Sequence, residues 1–286
     1  MPRDPVRLRY PDGGESKEDT TDITFLGTGN AQATACYNTC FLIRDDARRL
    51  LVDAGGGNTI LNRLAQAGED WRDVRDIIVT HKHIDHLLGV VWLMRMICQG
   101  AQRGTYEGEA RLYAHDEVIG LLDQMAHALL GEKAASQLGR ALHLVTVADG
   151  ETRGIIGHDV TFFDIRSTKA KQFGFTLDLG AGRRLTCCGD EPYNECERAY
   201  AEGAAWLLHE AFCLHSQADI FRPYEKSHST VKDACELAER LGVENLVLYH
   251  TEDKTIERRR ELYTEEGSAY FHGNLFVPDD LETLEL

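Results

Sequence analysis

The chain has 286 residues, 43% of them hydrophobic, and lacks any apolar run near the roughly eighteen residues of a membrane span, so it reads as a soluble chain able to bury a large core. Its formal net charge of -16 opposes general nucleic-acid affinity, which comes from Lys and Arg displacing counterions along the phosphate backbone. Eight scattered cysteines, without a C-x-x-C pair or an apolar leader, imply reduced thiols and a cytoplasmic setting.

Residues 1–21 are polar and rich in Pro and Gly, an extension ahead of one domain over 22–286. That domain opens with short apolar strands: ITFLG (23–27), CFLI (40–43) and RLLVDAGGG from Arg49, the last ending in a glycine cluster. Cys36 and Cys40 have no second pair with which to hold zinc and read as packing residues. NTILNRLAQAG (58–68) has helical spacing, and the buried strand DIIVT (76–80) delivers the chain into THKHIDH, Thr80 to His86.

A buried helix follows over 87–100, then strand ARLYAH and a helix over 116–131. These two helices could line a substrate wall or a subunit contact, so a homodimer is one assembly they allow. From Val160 the pattern returns to strands in VTFFDI, FGFTLDLG and RRLTCCGD, with Ala181-Gly182 as a hairpin turn. Helical ECERAYAEG leads to strand AWLLHEAF and a polar loop over 215–227. Ser229 or Thr230 then caps helix VKDACELAERLG, before strand NLVLYH. Two successive mixed sets of strands and helices predict an α/β (α+β) fold, an αββα sandwich of two mixed sheets with candidate site residues at strand ends.

Three histidines and a carboxylate within six residues suit a divalent cation, and a segment leaving a strand lets His81 and His83 point the same way. Asp85 and His86 are expected on the next bend of the loop. A pair of ions roughly 3.5 to 4 Å apart needs a bridging carboxylate from elsewhere. Asp190 after LTCCG and His250 after NLVLY are the candidates. His115, His127, His143, His215 and His272 lack partners at ligand spacing and read as surface or ordinarily hydrogen-bonded residues.

With these motifs the sequence resembles the metallo-β-lactamase-fold metal-dependent hydrolases and, through HEAF (209–212) with HST (228–230), is similar to their ribonuclease Z-like subgroup. The resemblance runs from about residue 22 to the C-terminus and is carried by ITFLGTGNA, LLVDAGGG, THKHIDH, CCGDEP and LVLYH. It implies two zinc sites, with manganese or iron as other metals that suit the donors. One metal falls to His81 and His83, the other to Asp85, His86 and His250, and Asp190 bridges. Asp53 orients the histidine segment by hydrogen bonds. The resemblance further implies that Asp85, His209, Glu210 and His228 form the catalytic set, with Ser229 and Thr230 beside the substrate. Metal-bound hydroxide would attack while protonated His228, held by Glu210, neutralises the departing alkoxide.

One departure stands out. Where the family has a further metal-binding histidine, this chain reads RSTKAKQFGF, and Arg166 takes the matching position. A guanidinium cannot coordinate a cation and repels it, so a weakened first site is expected; His158 lies at the wrong end of its strand to substitute. Arg166, Lys169 and Lys171 form the local basic cluster that could meet an anionic, nucleotide-like substrate. Only 23 residues (167 to 189) separate Arg166 from Asp190, too few for the basic arm that the resemblance associates with transfer-RNA processing. A small or single-stranded phosphodiester, such as a cyclic or short nucleotide, is therefore expected over folded tRNA. The rival readings are a lactone or carboxylic-ester hydrolase on the same metals and a non-catalytic nucleotide-binding relative.

Overall fold

A computed structural model describes residues 21–286; the extension expected over 1–21 lies outside the described residues except for Thr21, whose carbonyl accepts from the Leu286 amide. The first half of the chain forms β1 (Asp22–Gly27), β2 (Cys40–Asp45), β3 (Arg48–Val52), α1 (Thr59–Gln66), β4 (Asp76–Ile78), α2 (Ile84–Arg103), β5 (Ala110–Ala114), α3 (Asp116–Leu129), α4 (Glu132–Ala135) and β6 (Leu142–Thr146). The second half supplies β7 (Thr152–Ile155), β8 (His158–Asp164), β9 (Phe173–Gly180), β10 (Arg183–Cys187), α5 (Arg198–Ala201), β11 (Trp206–Glu210), α6 (Ala218–Phe221), α7 (Val231–Leu241), β12 (Asn245–Tyr249), α8 (Arg259–Gly267), β13 (Asn274–Phe276) and β14 (Glu282–Glu285).

The strands form two seven-stranded sheets, ordered β14-β1-β2-β3-β4-β5-β6 and β13-β12-β11-β10-β9-β8-β7. Each is antiparallel on one side and parallel on the other: β3 to β6 run parallel in the first sheet, β10 to β13 in the second. The αββα expectation holds. The strands are apolar on both faces because both are covered. Alternate residues of β2 and β3, such as Phe41 and Ile43 or Leu50 and Val52, meet Phe162, Phe175, Leu185, Leu208 and Val247 of the other sheet in a central core. The intervening Leu42 and Leu51 face the helices of the first half, and Leu207 and Leu246 face α7 and α8.

Four strands escaped the sequence reading. β6 and β7 are short and partly exposed, and β13 and β14 depend on distant partners: β14 pairs with β1 at the opposite end of the chain, Ile23 against Leu284. The helix expected in ECERAYAEG contracts to a 3₁₀ turn, Glu195–Glu197, and one turn of α5, while short helical turns occupy the expected polar loop over 215–227. The hairpin turn at Ala181-Gly182 is as expected, with φ of +52° and +75°.

Glu197 closes a capping box on that 3₁₀ turn, its Oε1 accepting from the Asn194 amide at 2.7 Å, while its buried Oε2 has no hydrogen-bond partner among the described residues. Burial pushes its pKa up to about 8 from an ordinary 4.5. An acid whose pKa rises on folding binds its proton more tightly in the native state, so its contribution is present at low pH and is lost as pH climbs from about 4.5 to about 8. Glu197→Gln is expected to melt a few degrees above the wild type at pH 8.5, where each kcal/mol is worth about 2 °C, and level with it at pH 5. Thermal melts at the two pH values check this.

Candidate metal centre

Parallel strands end on one side of each sheet, and the candidate residues sit where they end. Asp53 follows β3, Thr80 to His83 follow β4, Asp190 follows β10, Glu210 ends β11 and His250 follows β12. Asp53 and His250 both adopt left-handed backbone, φ +54° and +57°, which non-glycine residues seldom occupy and which concentrates at functional sites.

His81 and His83 are in extended chain, as expected, but Asp85 and His86 lie in the first turn of α2 rather than on a loop bend. The dipole at a helix start favours an acid such as Asp85. The helix is pressed onto the loop after β3 at Gly89, where a Cβ would sit 1.8 Å from the Ala54 carbonyl oxygen. Two backbone hydrogen bonds hold that approach, Ala54 N to His86 O at 3.0 Å and Gly89 N to Gly55 O at 2.8 Å.

The structure brings together two groups of potential ligands: His81, His83 and Asp190, and Asp85, His86 and His250. Asp190 Oδ2 lies between them, 3.5 Å from Nε2 of His81, 3.5 Å from that of His86 and 3.6 Å from that of His250. Three of the imidazoles have their tautomer set from behind. Asp53 accepts from Thr80 N at 2.9 Å, Thr80 Oγ1 at 2.8 Å and His86 Nδ1 at 2.8 Å. Thr80 Oγ1, its proton given to Asp53, accepts from His81 Nδ1 at 3.0 Å. Thr39 Oγ1 likewise donates to Gly29 O and accepts from His250 Nδ1 at 3.2 Å. Each Nε2 therefore faces the cluster, as in sites where hydrogen bonds orient metal-binding histidines.

Charge favours a cation as well. Burial pushes His81 well below the ordinary imidazole range and His250 down to about 3, so both are neutral donors. Burial alone would raise Asp190, but the surrounding imidazoles, charged His86 among them, outweigh it and keep its carboxyl well below the usual range. Asp85 is lowered against the same burial penalty by His86. His86 is the counterpart: burial disfavours its charge, yet Asp85 and Asp53 raise it well above the ordinary value. Among the described residues, buried His86 Nε2 and Asp190 Oδ1 have no hydrogen-bond partner. Neutral nitrogens on His81 and His250 and ionised carboxylates on Asp85 and Asp190 fit divalent cations, and His86 would join them by giving up its proton to the incoming charge.

At the rim, His228 stacks on Phe212 (4.9 Å between centroids, 5° between planes) and lies 5.3 Å from His250. Its Nδ1 is 3.5 Å from Glu210 Oε2, a long contact, and Glu210 Oε1 accepts from the Ser229 amide. His209 does not join them. Neighbouring residues of a strand point to opposite faces, and His209 is buried on the other side from Glu210, its Nδ1 bonded to the Glu210 carbonyl at 2.8 Å.

The expected substrate groups disperse. Arg166 departs most from expectation: its side chain is 63% exposed and turned to Asp149 at 3.7 Å, and its φ of +60° directs the chain outward. It does not enter the ligand cluster. Lys171 pairs with Asp116 and Lys169 reaches the Lys226 carbonyl. Buried Thr230 caps α7 in a box with Asp233, so its hydroxyl is committed there; buried Ser229 meets Glu210 through its backbone. His158 lies 3.6 Å from Asp45, outside both ligand groups. His115, expected at the surface or in ordinary hydrogen bonds, is fully buried against Phe173, and neither ring nitrogen has a hydrogen-bond partner among the described residues. Thr39, Thr80 and Phe212 gain roles that no sequence pattern announced, although Thr80 stands directly before the histidine motif.

A family model described as anti-Pycsar protein Apyc1 matches residues 21–271, most of the chain. The chain belongs to the anti-Pycsar protein Apyc1 family. Among curated relatives, a ribonuclease Z of Bradyrhizobium diazoefficiens is 25% identical over 277 residues, covering 80% of this chain and 88% of that protein. Among solved structures, the metallo-β-lactamase fold protein YhfI from Bacillus subtilis superposes with a TM-score of 0.77 at 17% identity, covering 94% of this chain and all of its own. Zinc-bound PqqB from Methylobacterium extorquens does so with a TM-score of 0.67 at 16% identity, covering 93% of this chain and 100% of that one. The fold of this Apyc1-family chain is thus the metallo-β-lactamase fold, and its relatives are ribonuclease Z-like hydrolases.

Two measurements follow from the geometry of this family member. Asp53→Ala is expected to weaken zinc binding by about 10- to 100-fold, the usual cost of removing a residue that orients ligands, as read by competition with a chelator. Arg166→Ala is expected to leave metal content at the wild-type level by elemental analysis, since the guanidinium faces away; a rise on substitution would show that Arg166 suppresses loading.

Proposed function

We propose that the protein is a phosphodiesterase acting on a small or single-stranded substrate, a cyclic or short nucleotide rather than folded tRNA. The observation that carries this reading is the placement of His228 and Glu210 beside the two ligand groups, with the His228 ring 5.3 Å from His250. His81, His83 and Asp190 would hold one divalent cation, and Asp85, His86 and His250 the other, with Asp190 shared between them. Zinc, as in PqqB, is the metal proposed, and manganese or iron suit the same donors. Bound there, such ions supply Lewis acidity and lower the pKa of water at neutral pH.

The chain's own residues perform the remainder. His228, as an imidazolium, donates its proton to the departing oxygen; the Glu210 carboxylate stabilises that charge, and Phe212 supports the ring face. The Asp53–Thr80 and Thr39 hydrogen bonds keep the imidazoles aimed while charge shifts in the site. Lys226, whose Nζ lies 4.8 Å from the Phe212 ring centre, and Lys169, which reaches the Lys226 carbonyl, are cations beside this rim for an anionic substrate.

The second sheet favours a small substrate. β9 and β10 are joined by a two-residue turn, so no arm extends from this hairpin, and the net charge of -16 opposes a long polyanion. A lactone or ester would have less need of the His228 proton. Outward-turned Arg166 removes the main argument for a non-catalytic protein.

Cyclic nucleotides, bis-p-nitrophenyl phosphate, lactones and simple esters offered to zinc- or manganese-loaded protein test the reading. Turnover of the phosphodiesters supports it; turnover confined to lactones or esters defeats it. His228→Ala is expected to lower kcat on nucleotide substrates by about 10²- to 10⁴-fold, the range for loss of a general acid. The same variant is expected to lose far less on bis-p-nitrophenyl phosphate, whose leaving group departs without a proton. Equal losses on both substrates would remove His228 from the acid role.

A further inference from the structure

The two oxygens of Asp190 face different surroundings. Oδ2 points at the Nε2 atoms of His81, His86 and His250, whereas Oδ1 is buried and has no hydrogen-bond partner among the described residues. Asp190 also lines a cavity of about 10 Å³ beneath the cluster, room for one water molecule, together with Thr39, Thr80, Gln172 and Gly189. Gln172 is only 1% exposed, and its Nε2 likewise has no hydrogen-bond partner among the described residues. A Cβ on Gly189, where φ is +79°, would lie 2.4 Å from Gln172 Nε2, so the bare glycine is what admits the amide to the chain beside Asp190. The remaining walls include apolar Phe41 and Val52, so a buried donor and a buried acceptor share one small, largely apolar cavity, where leaving both unpaired is costly.

We infer that Gln172 is a positioning residue for the shared carboxylate: its Nε2 donates to one buried water, which donates in turn to Asp190 Oδ1. Fixed at Oδ1, the carboxylate cannot rotate, and Oδ2 stays aimed between the two ligand groups. This rests on the two-metal reading of the cluster. Nothing in RSTKAKQFGF distinguishes Gln172 as a partner of Asp190; only the cavity joins them.

The test compares the full chain with Gln172→Met, which keeps the side-chain shape and removes the donor, and Gln172→Asn, which keeps an amide that a water can reach. Zinc is the probe, with affinity read by chelator competition, stoichiometry by elemental analysis, and folding by thermal melts of chelator-stripped protein. The Met variant is expected to bind zinc about 10- to 100-fold more weakly, with a stripped-protein melt within about 2 °C of the wild type. The Asn variant is expected to recover part of the loss.

A Met variant that loads zinc as tightly as the wild type overturns the inference, as does an Asn variant no better than Met. A loss of affinity accompanied by a matching fall in the stripped-protein melt overturns it too, because a structural role would then explain both. A wild-type chain that takes up no zinc defeats the two-metal reading and this inference with it, whereas a loaded wild type with an equally loaded Met variant defeats this inference alone.

Discussion

One buried carboxylate organises the centre. Asp53 accepts from the Thr80 amide, the Thr80 hydroxyl and His86 Nδ1 at once, tying the end of β3 to the end of β4 and to the first turn of α2. Such a group is costly to bury unless its oxygens are satisfied, and here each bond that satisfies it also orients a ligand. The left-handed backbone at Asp53 is what turns the carboxylate across the strand end, and the close contact at Gly89 presses α2 against the same loop. Release of this carboxylate would free His81, through Thr80, and His86 together.

The other half of the centre comes from the second sheet. Asp190 and His250 reach the histidines of the first sheet only because the two sheets pack face to face through Phe25, Phe41, Phe162 and Phe175. The central core therefore sets the spacing of the ligand groups as well as stabilising the fold. Thr39, at the start of β2, crosses over to hold His250, so the first sheet also orients a candidate ligand supplied by the second. Buried Arg259 reinforces the crossing by donating to Thr28 and Thr251, on either side of the same junction.

Much of the site was legible along the chain. THKHIDH, Asp190 and His250 could be picked out because ligand chemistry uses few residue types and strand ends are visible in hydrophobic pattern. The placement of His209, Arg166 and Thr230 was not, since a motif specifies order but not direction. Strand alternation sends His209 away from Glu210, a left-handed residue turns Arg166 to Asp149, and the α7 cap takes the Thr230 hydroxyl. His115 shows the converse: a residue with no local signal is fully buried against Phe173, whose strand lies in the other half of the chain.

By itself the sequence determined the αββα class, the major strands and helices, and the set of side chains able to hold divalent cations, because these follow from period, capping and donor chemistry, which are local. The tertiary structure decided which donors converge, which imidazole nitrogen each offers, and that β14 closes the first sheet against β1. It also decided that Gln172 and Asp190 share a cavity. Those outcomes depend on contacts between residues distant along the chain, and the geometry of such contacts is set by how two sheets pack rather than by any neighbouring stretch of sequence.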